Sequence, residues 1–253
     1  MQDTEITVKD LKTNYKIFGQ GNPMLILHGW GSNSERWEKV AELLEQKNLQ
    51  LIIPDLPGFG KSDVPPVAWR LDNYVDWLSE FVEKLPELKG GFCLLGHSFG
   101  GALAAKFAIR YNQKVKKLFL VSAACVRKNT GVKKVYYRFA KMMKIFKFLP
   151  FYDLMRKAAY KYIIRKSDYV YQDGIMKDTY LNVILEDLTY KVSFLKVPVV
   201  MIWGDKDEST PMDQAELLHK KIFNSKLAVI KDAGHALNAN MPGILSDNIL
   251  ANI

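Results

Sequence analysis

Up to about residue 123 the chain alternates between two hydrophobic rhythms: short unbroken apolar runs, and stretches in which apolar residues return every three or four positions. That alternation predicts buried strands joined by amphipathic helices, the pattern of a mostly parallel central sheet flanked by helices and therefore of an α/β protein. Ile6 to Val8 and Tyr15 to Phe18 are expected to pair as an opening hairpin. Met24 to His28, Leu51 to Ile53, Phe92 to Gly96 and Lys117 to Ser122 follow as strands apolar enough to be buried on both faces. A helix is expected from about Ser34, and Gly100 to Tyr111 makes another. Between these two, Leu71, Tyr74, Val75, Leu78, Phe81, Val82 and Leu85 mark a further helix behind the polar start Asp72-Asn73.

The rhythm changes at Ala124 and returns only with the strand Val197 to Trp203, a helix near Pro211 to Ile222, the strand Leu227 to Ile230 and a closing helix from Pro242 to Ile253. What lies between reads as helices. Val132, Val135, Tyr136, Phe139, Met142, Met143 and Phe146 line one face of the first, and Pro150 should end it. A second runs from about Asp153 to Arg165 and a third from about Ile175 to Leu188. Two units are therefore expected: a core of residues 1–123 and 193–253, and a helical cap, residues 124–192, inserted after the strand that ends near Ser122.

Composition adds one unusual number. The 253 residues are 48% hydrophobic and 25% charged, as in ordinary folded proteins, but the formal net charge is +9. Residues 126–191 hold 15 Lys and Arg against 6 Asp and Glu, while the remaining residues carry 21 of each sign. The excess thus belongs to the insert. No apolar run approaches the roughly 18 residues of a membrane span, and the first 20 residues lack a signal-peptide pattern, so a soluble, cytoplasmic chain is expected. Cys93 and Cys125 sit in apolar stretches, and they and the four histidines form no metal motif, so no metal is expected.

Gly96-His97-Ser98-Phe99-Gly100 fits G-x-S-x-G, in which a tight strand-to-helix turn exposes a serine hydroxyl. Alone the pattern is weak, arising by chance in roughly one chain in ten of this length. Here it stands between a buried strand and the small-residue helix start Gly100-Gly-Ala-Leu-Ala-Ala105, the context its mechanism requires. A serine hydroxyl needs a base to take its proton and a third group to orient that base. His235, in the loop after the last strand, is the histidine best placed as base, since ligands of open α/β folds bind at the carboxyl ends of the strands. For the acid, the loop Gly204-Asp205-Lys206-Asp207-Glu208 offers Asp207 in preference to Asp205, because the turn needs residues to swing a carboxylate towards the histidine. The glycine-rich turn His28-Gly29-Trp30-Gly31 can present the backbone N–H of Trp30 to an oxyanion, with that of Phe99 as second donor. Their side chains either wall the substrate pocket or pack into the core.

Together His28-Gly-Trp-Gly31, Asp55-Leu-Pro-Gly-Phe-Gly-Lys-Ser62, Gly96-His-Ser-Phe-Gly-Gly101, Trp203-Gly-Asp-Lys-Asp207 and Ala233-Gly-His235 resemble the α/β-hydrolase superfamily, in its lid-bearing serine esterase branch. The resemblance implies an α/β-hydrolase fold with a helical lid, catalytic residues Ser98, Asp207 and His235 in that chain order, and an oxyanion hole from Trp30 and Phe99. It implies cleavage of carboxylic esters through an acyl-enzyme, without a cofactor. Lactones, thioesters and carbon–carbon bonds are open to the same residues, and a hydrolase-fold binding protein of slow turnover is the alternative from another class.

The insert bears on substrate and partners. It is rich in tyrosine, phenylalanine and methionine, so an apolar roof suited to an acyl chain or aromatic ester is expected, with Trp30, Phe99, Phe139, Met143 and Leu237 around the pocket. Residues 126–166 contain 13 Lys and Arg and a single acid, Asp153. Such a face is either simply solvated, or rests on an anionic membrane surface, or receives an acidic carrier. Nucleic acid ranks last, because aromatics and charges fall on opposite helical faces.

Overall fold

The computed structural model describes residues 2–127 and 174–253. Strands β1 (Gln2–Val8) and β2 (Leu11–Phe18) form an antiparallel hairpin, turned at Lys9 and Asp10 with φ of 50° and 60°, the left-handed pair that a tight two-residue turn uses. β3 (Asn22–Leu27), β4 (Leu49–Pro54), β5 (Phe92–His97), β6 (Val115–Val121), β7 (Val199–Gly204) and β8 (Ser225–Ile230) follow. Among the described residues they form one eight-stranded sheet in the order β1-β2-β4-β3-β5-β6-β7-β8, parallel from β4 onwards to β8.

Each central strand is apolar on both sides because helices cover both. Leu25, Leu27, Leu94, Leu118, Leu120, Met201 and Trp203 point into one apolar layer, with α2 (Leu71–Lys84), α3 (Phe99–Arg110) and α5 (Met212–Lys221). Their alternates Met24, Ile26, Leu95, Phe119, Val121, Val200 and Ile202 point into the other, with α1 (Glu38–Leu44) and α6 (Pro242–Leu250). Burying one such side chain is worth roughly 1.5–3 kcal/mol, so these continuous runs anchor the sheet.

β3 has β4 on one side and β5 on the other. Chains leaving β3 and β5 therefore turn to opposite faces, which opens a crevice at their carboxyl ends. Trp30 follows β3 and Ser98 follows β5, so the topology places both at that crevice.

Of the insert, helix α4 (Gly174–Ile184) lies against this end of the core. Met176 packs where a Cβ on Gly58 would lie 2.4 Å from its Sδ, Thr179 Oγ1 accepts from Trp69 N at 3.0 Å, and Asn182 Nδ2 donates to Trp69 O at 3.3 Å. The helix ends at Ile184, four residues before the expected Leu188. There the Asp187 carboxylate accepts from Thr189 N at 2.9 Å and from Thr189 Oγ1 at 2.5 Å, a local turn that competes with helix. A helical turn at Leu237–Asn240, absent from the sequence pattern, follows His235. The helices expected over 132–149 and 153–165, with Phe139 and Met143, lie outside the described residues. Among the described residues no helix is long and apolar enough to cross a membrane.

Candidate active site

The strand-to-helix turn is built by sterics. Ser98 has φ 52° and ψ −115°, a conformation an L-residue adopts only under constraint, at a cost of order 1–3 kcal/mol. Its carbonyl is correspondingly over-held, accepting from the N–H groups of Gly101, Ala102 and Ala124 at 3.0, 3.2 and 2.9 Å. A Cβ on Gly96 would stand 2.2 Å from the Gly100 carbonyl oxygen, and one on Gly100 the same distance from that of Leu27. Only glycine fits either position, so helix α3 crosses its own strand closely and lifts Ser98 to the sheet's edge.

His235 meets this hydroxyl from the loop after β8. Its Nε2 lies 3.0 Å from Ser98 Oγ, and its Nδ1 lies 2.8 Å from Asp207 Oδ2. Asp207, and not Asp205, makes this contact. The turn closed by Asp207 N donating to Gly204 O at 3.2 Å carries the second carboxylate across, whereas Asp205 Oδ1 accepts from Ala233 N at 3.3 Å and braces the histidine loop. Asp207 is buried and fully engaged: Oδ1 accepts from Ser209 N and Thr210 N at 2.9 and 2.8 Å, and Oδ2 from Thr210 Oγ1 at 2.8 Å. Burial alone would push its carboxyl up. The hydrogen bonds from His235 and Thr210 N, with the field of the histidine, outweigh burial and hold the carboxyl at about 2. Thr210, in turn fixed by Trp203 Nε1 donating to its carbonyl at 2.6 Å, is a site residue that sequence reasoning misses. The spacing Asp207-x-x-Thr210, in which a carboxylate caps the next two or three N–H groups, is the signal that could have found it.

The turn after β3 packs beside Ser98. Ser32 N donates to Gly29 O at 3.2 Å, with Trp30 and Gly31 as the central residues and Gly31 at φ 69°, where glycine is favoured. A Cβ on Gly29 would lie 3.3 Å from Ser98 Cβ. Trp30 N–H is not used in closing the turn, and Phe99, first residue of α3, has an N–H without an intrahelical acceptor. The Trp30 ring meets Phe59, Phe99 and Tyr180 edge-on or tilted, with centroids 4.8, 5.2 and 5.2 Å away, and Phe99 meets Tyr74 at 5.1 Å. Phe99 and Phe59 are buried in the core, and Trp30, half-buried, packs on them in an aromatic cluster that α4 completes through Tyr180. Leu237 lies elsewhere: it is buried with Trp37, Ile202 and Leu245 in the apolar layer on the sheet's other face.

Two further histidines adjoin the site. His28 Nδ1–H donates to Gly29 O at 2.8 Å while its Nε2 accepts from Leu56 N at 2.9 Å, and burial pushes its pKa down to about 4. His97 Nε2–H donates to the backbone carbonyl of His235 at 2.9 Å, and burial, with the neighbouring His235, likewise lowers it to about 4. Both rings are held neutral. The motif Asp55 to Ser62 is a structural knot, since Asp55 accepts from Ser34 N, Lys61 N and Asn14 Nδ2 at 2.6, 2.9 and 3.1 Å. Among the described residues no group of His, Cys, Asp and Glu could hold a metal ion.

Strand order and elbow define the class, an α/β-hydrolase fold. Residues 22–150 match the model of the alpha/beta hydrolase fold family, and the chain belongs to that family. It is 29% identical over 230 residues to Lipase 3 of Moraxella sp., covering 85% of this chain and 72% of the lipase, and 27% identical to Lipase 1 of Psychrobacter immobilis, covering 85% and 71%. Among solved structures, an esterase from Thermogutta terrifontis shares the fold with a TM-score of 0.73 at 24% identity, covering 99% of this chain and 97% of the esterase. The esterase EaEST from Exiguobacterium antarcticum has a TM-score of 0.76 at 23% identity, covering 99% and 98%.

Proposed function

We propose that the protein is a serine hydrolase of carboxylic esters that works through an acyl-enzyme. The observation that carries this reading is the continuous relay from Ser98 Oγ to His235 Nε2 at 3.0 Å and from His235 Nδ1 to Asp207 Oδ2 at 2.8 Å. Ser98 Oγ attacks the ester carbonyl as His235 takes its proton, and the tetrahedral oxyanion is held by the N–H groups of Trp30 and Phe99. The carbon–oxygen bond to the alcohol then breaks, His235 giving the proton to the leaving alkoxide. Water repeats the sequence on the acyl-enzyme, releasing the acid and restoring Ser98. Asp207 stays ionised throughout, orienting His235 and stabilising its charged form; its low pKa supports that role.

The half-buried rings of Trp30 and Tyr180, packed beside Ser98 on the buried Phe59 and Phe99, support an apolar acyl or aromatic substrate, and the lipase names of two relatives support ester chemistry. Residues 124–192 act in this reading as a cap over the crevice, with α4 as its inner edge. The excess of basic residues in the cap supports contact with an anionic lipid surface.

Short p-nitrophenyl esters are expected to be turned over repeatedly. Ser98→Ala should lower kcat by at least about 10⁴-fold while the circular dichroism stays unchanged. Full activity in that variant would sink the proposal, and a single turnover by the native chain would favour a binding protein. Running lactones, thioesters and carbon–carbon substrates in the same panel separates ester hydrolysis from its chemical neighbours.

A further inference from the structure

We propose that His97 is a positioning residue for His235, holding the histidine's loop at reaction distance through the hydrogen bond from its ring to the His235 backbone carbonyl. This rests on the reading of Ser98 and His235 given above. The geometry is specific. His97 ends β5 beside the nucleophile, so its Cα is fixed by the sheet, while His235 is carried on a loop between β8 and a four-residue helical turn. That loop is tied on its upstream side, where Lys206 N donates to Ala233 O at 2.9 Å and Ala233 N to Asp205 Oδ1 at 3.3 Å. At His235 itself Asp207 holds the ring, and the backbone is tied by His97 Nε2–H, donating to the carbonyl at 2.9 Å.

The ring is held in turn. It packs against the Trp37 indole, with centroids 6.2 Å apart, and against the His235 ring at 4.9 Å. A Cβ on Gly29 would stand 3.0 Å from His97 Nδ1, so the turn that bears Trp30 leaves just enough room for an imidazole. His97 is 7% exposed and neutral, its pKa lowered to about 4 by burial and by the neighbouring His235, so its single N–H is committed to this bond. One side chain thus spans the Trp30 turn, the nucleophile's strand and the base's loop. Its hydrogen bond goes to the His235 backbone carbonyl and not to Ser98 Oγ or the His235 ring nitrogens, so its effect must pass through the placement of His235.

Three variants separate this from a packing role. His97→Phe keeps volume and loses the donor, His97→Asn keeps a donor one bond too short to reach, and His97→Gln carries an amide N–H the same number of bonds from the backbone as Nε2. With a p-nitrophenyl ester, Phe and Asn are expected to lower kcat about 10- to 100-fold with KM within about 2-fold, since sub-ångström misplacement of a catalytic group acts on the chemical step. Gln should recover most of the loss. A second readout does not depend on turnover: the downfield proton resonance of His235 Nδ1–H, bonded to Asp207, should broaden or shift in the Phe and Asn variants made in a Ser98→Ala background and persist in Gln. Unchanged kcat and resonance in folded Phe or Asn protein, or a Gln variant no better than Phe, overturns the proposal. Full activity in Ser98→Ala alone overturns the functional reading instead, and the resonance still decides whether His97 positions His235.

Discussion

His235 bonds to Ser98 with the His97 ring 4.9 Å from its own, His28 ends the neighbouring strand run, and what divides the three histidines is burial and the identity of the atom each ring nitrogen faces. His28 satisfies a carbonyl with one nitrogen and an N–H with the other, which only the neutral ring can do, and His97 gives its proton to a carbonyl. Each has its pKa pushed to about 4 by burial, below the 6.5 of an unfolded histidine. The unfolded chain therefore binds protons more readily, so the stability these rings contribute is complete above about pH 6.5 and is lost as pH falls towards 4. At roughly 1.4 kcal/mol per pH unit, the loss approaches about 3 kcal/mol for each ring. Asp207 behaves likewise in a lower window: its stabilisation, about 2 kcal/mol, is complete above its ordinary value and is lost as pH falls through about 2. Thermal unfolding followed by circular dichroism should show the midpoint dropping between pH 6.5 and 4, with a smaller drop in His97→Gln; a flat profile over that range would refute neutral, buried rings.

The elbow is the element on which the site depends, and its glycines are there because backbone passes backbone. In Gly100→Ala the new methyl would meet the Leu27 carbonyl at 2.2 Å and the His28 carbonyl at 2.5 Å, and neither can yield without moving β3. Because β3 leads into the Trp30 turn, the strain should reach both the fold and the site. Gly100→Ala is expected to cost about 3 kcal/mol in urea unfolding and to reduce ester turnover in whatever protein remains folded. By contrast a methyl at Gly234 or Gly243 would meet no neighbour within 4 Å, so alanine there should be close to neutral in the same unfolding measurement. The motif G-x-S-x-G made the elbow legible in the sequence, but which atoms forbid a side chain emerged only where α3 crosses β3.

Across the whole molecule the charge is unevenly distributed. The core is electrically balanced and residues 126–191 carry the full excess of nine positive charges. If the proposed contact with an anionic surface holds, binding is long-range and electrostatic, and salt must weaken it: the screening length contracts from about 10 Å at 0.1 M to about 3 Å at 1 M. Co-sedimentation with vesicles containing anionic lipid should fall steeply over that range and be absent with zwitterionic vesicles. Binding that ignores salt, or no binding, would leave the basic face as solvated surface. The described part of the insert is anchored differently. α4 is fixed by Thr179 and Asn182 to the backbone of Trp69, and Leu188 N donates to Cys125 O at 2.9 Å where the insert leaves and rejoins the core.

What the sequence determined by itself was the sheet, the helices of the core and the strand-to-helix turn that carries Ser98, because strand and helix periodicities and a glycine-bounded turn are local properties of the chain. The strand runs Met24 to His28 and Phe92 to Gly96 agree with β3 and β5 to within a residue or two, since burial on both faces leaves a continuous apolar signature. The preference for Asp207 over Asp205 could be reasoned from turn geometry, yet the contact with His235 depends on how β7 and β8 lie side by side. The contacts of His97, Thr210 and Tyr180 appear only in the tertiary structure. His97 and Tyr180 meet partners more than 100 residues away, which leaves no mark on the periodicity of a sequence, whereas Thr210 meets Asp207 three residues away and is marked only by that local spacing.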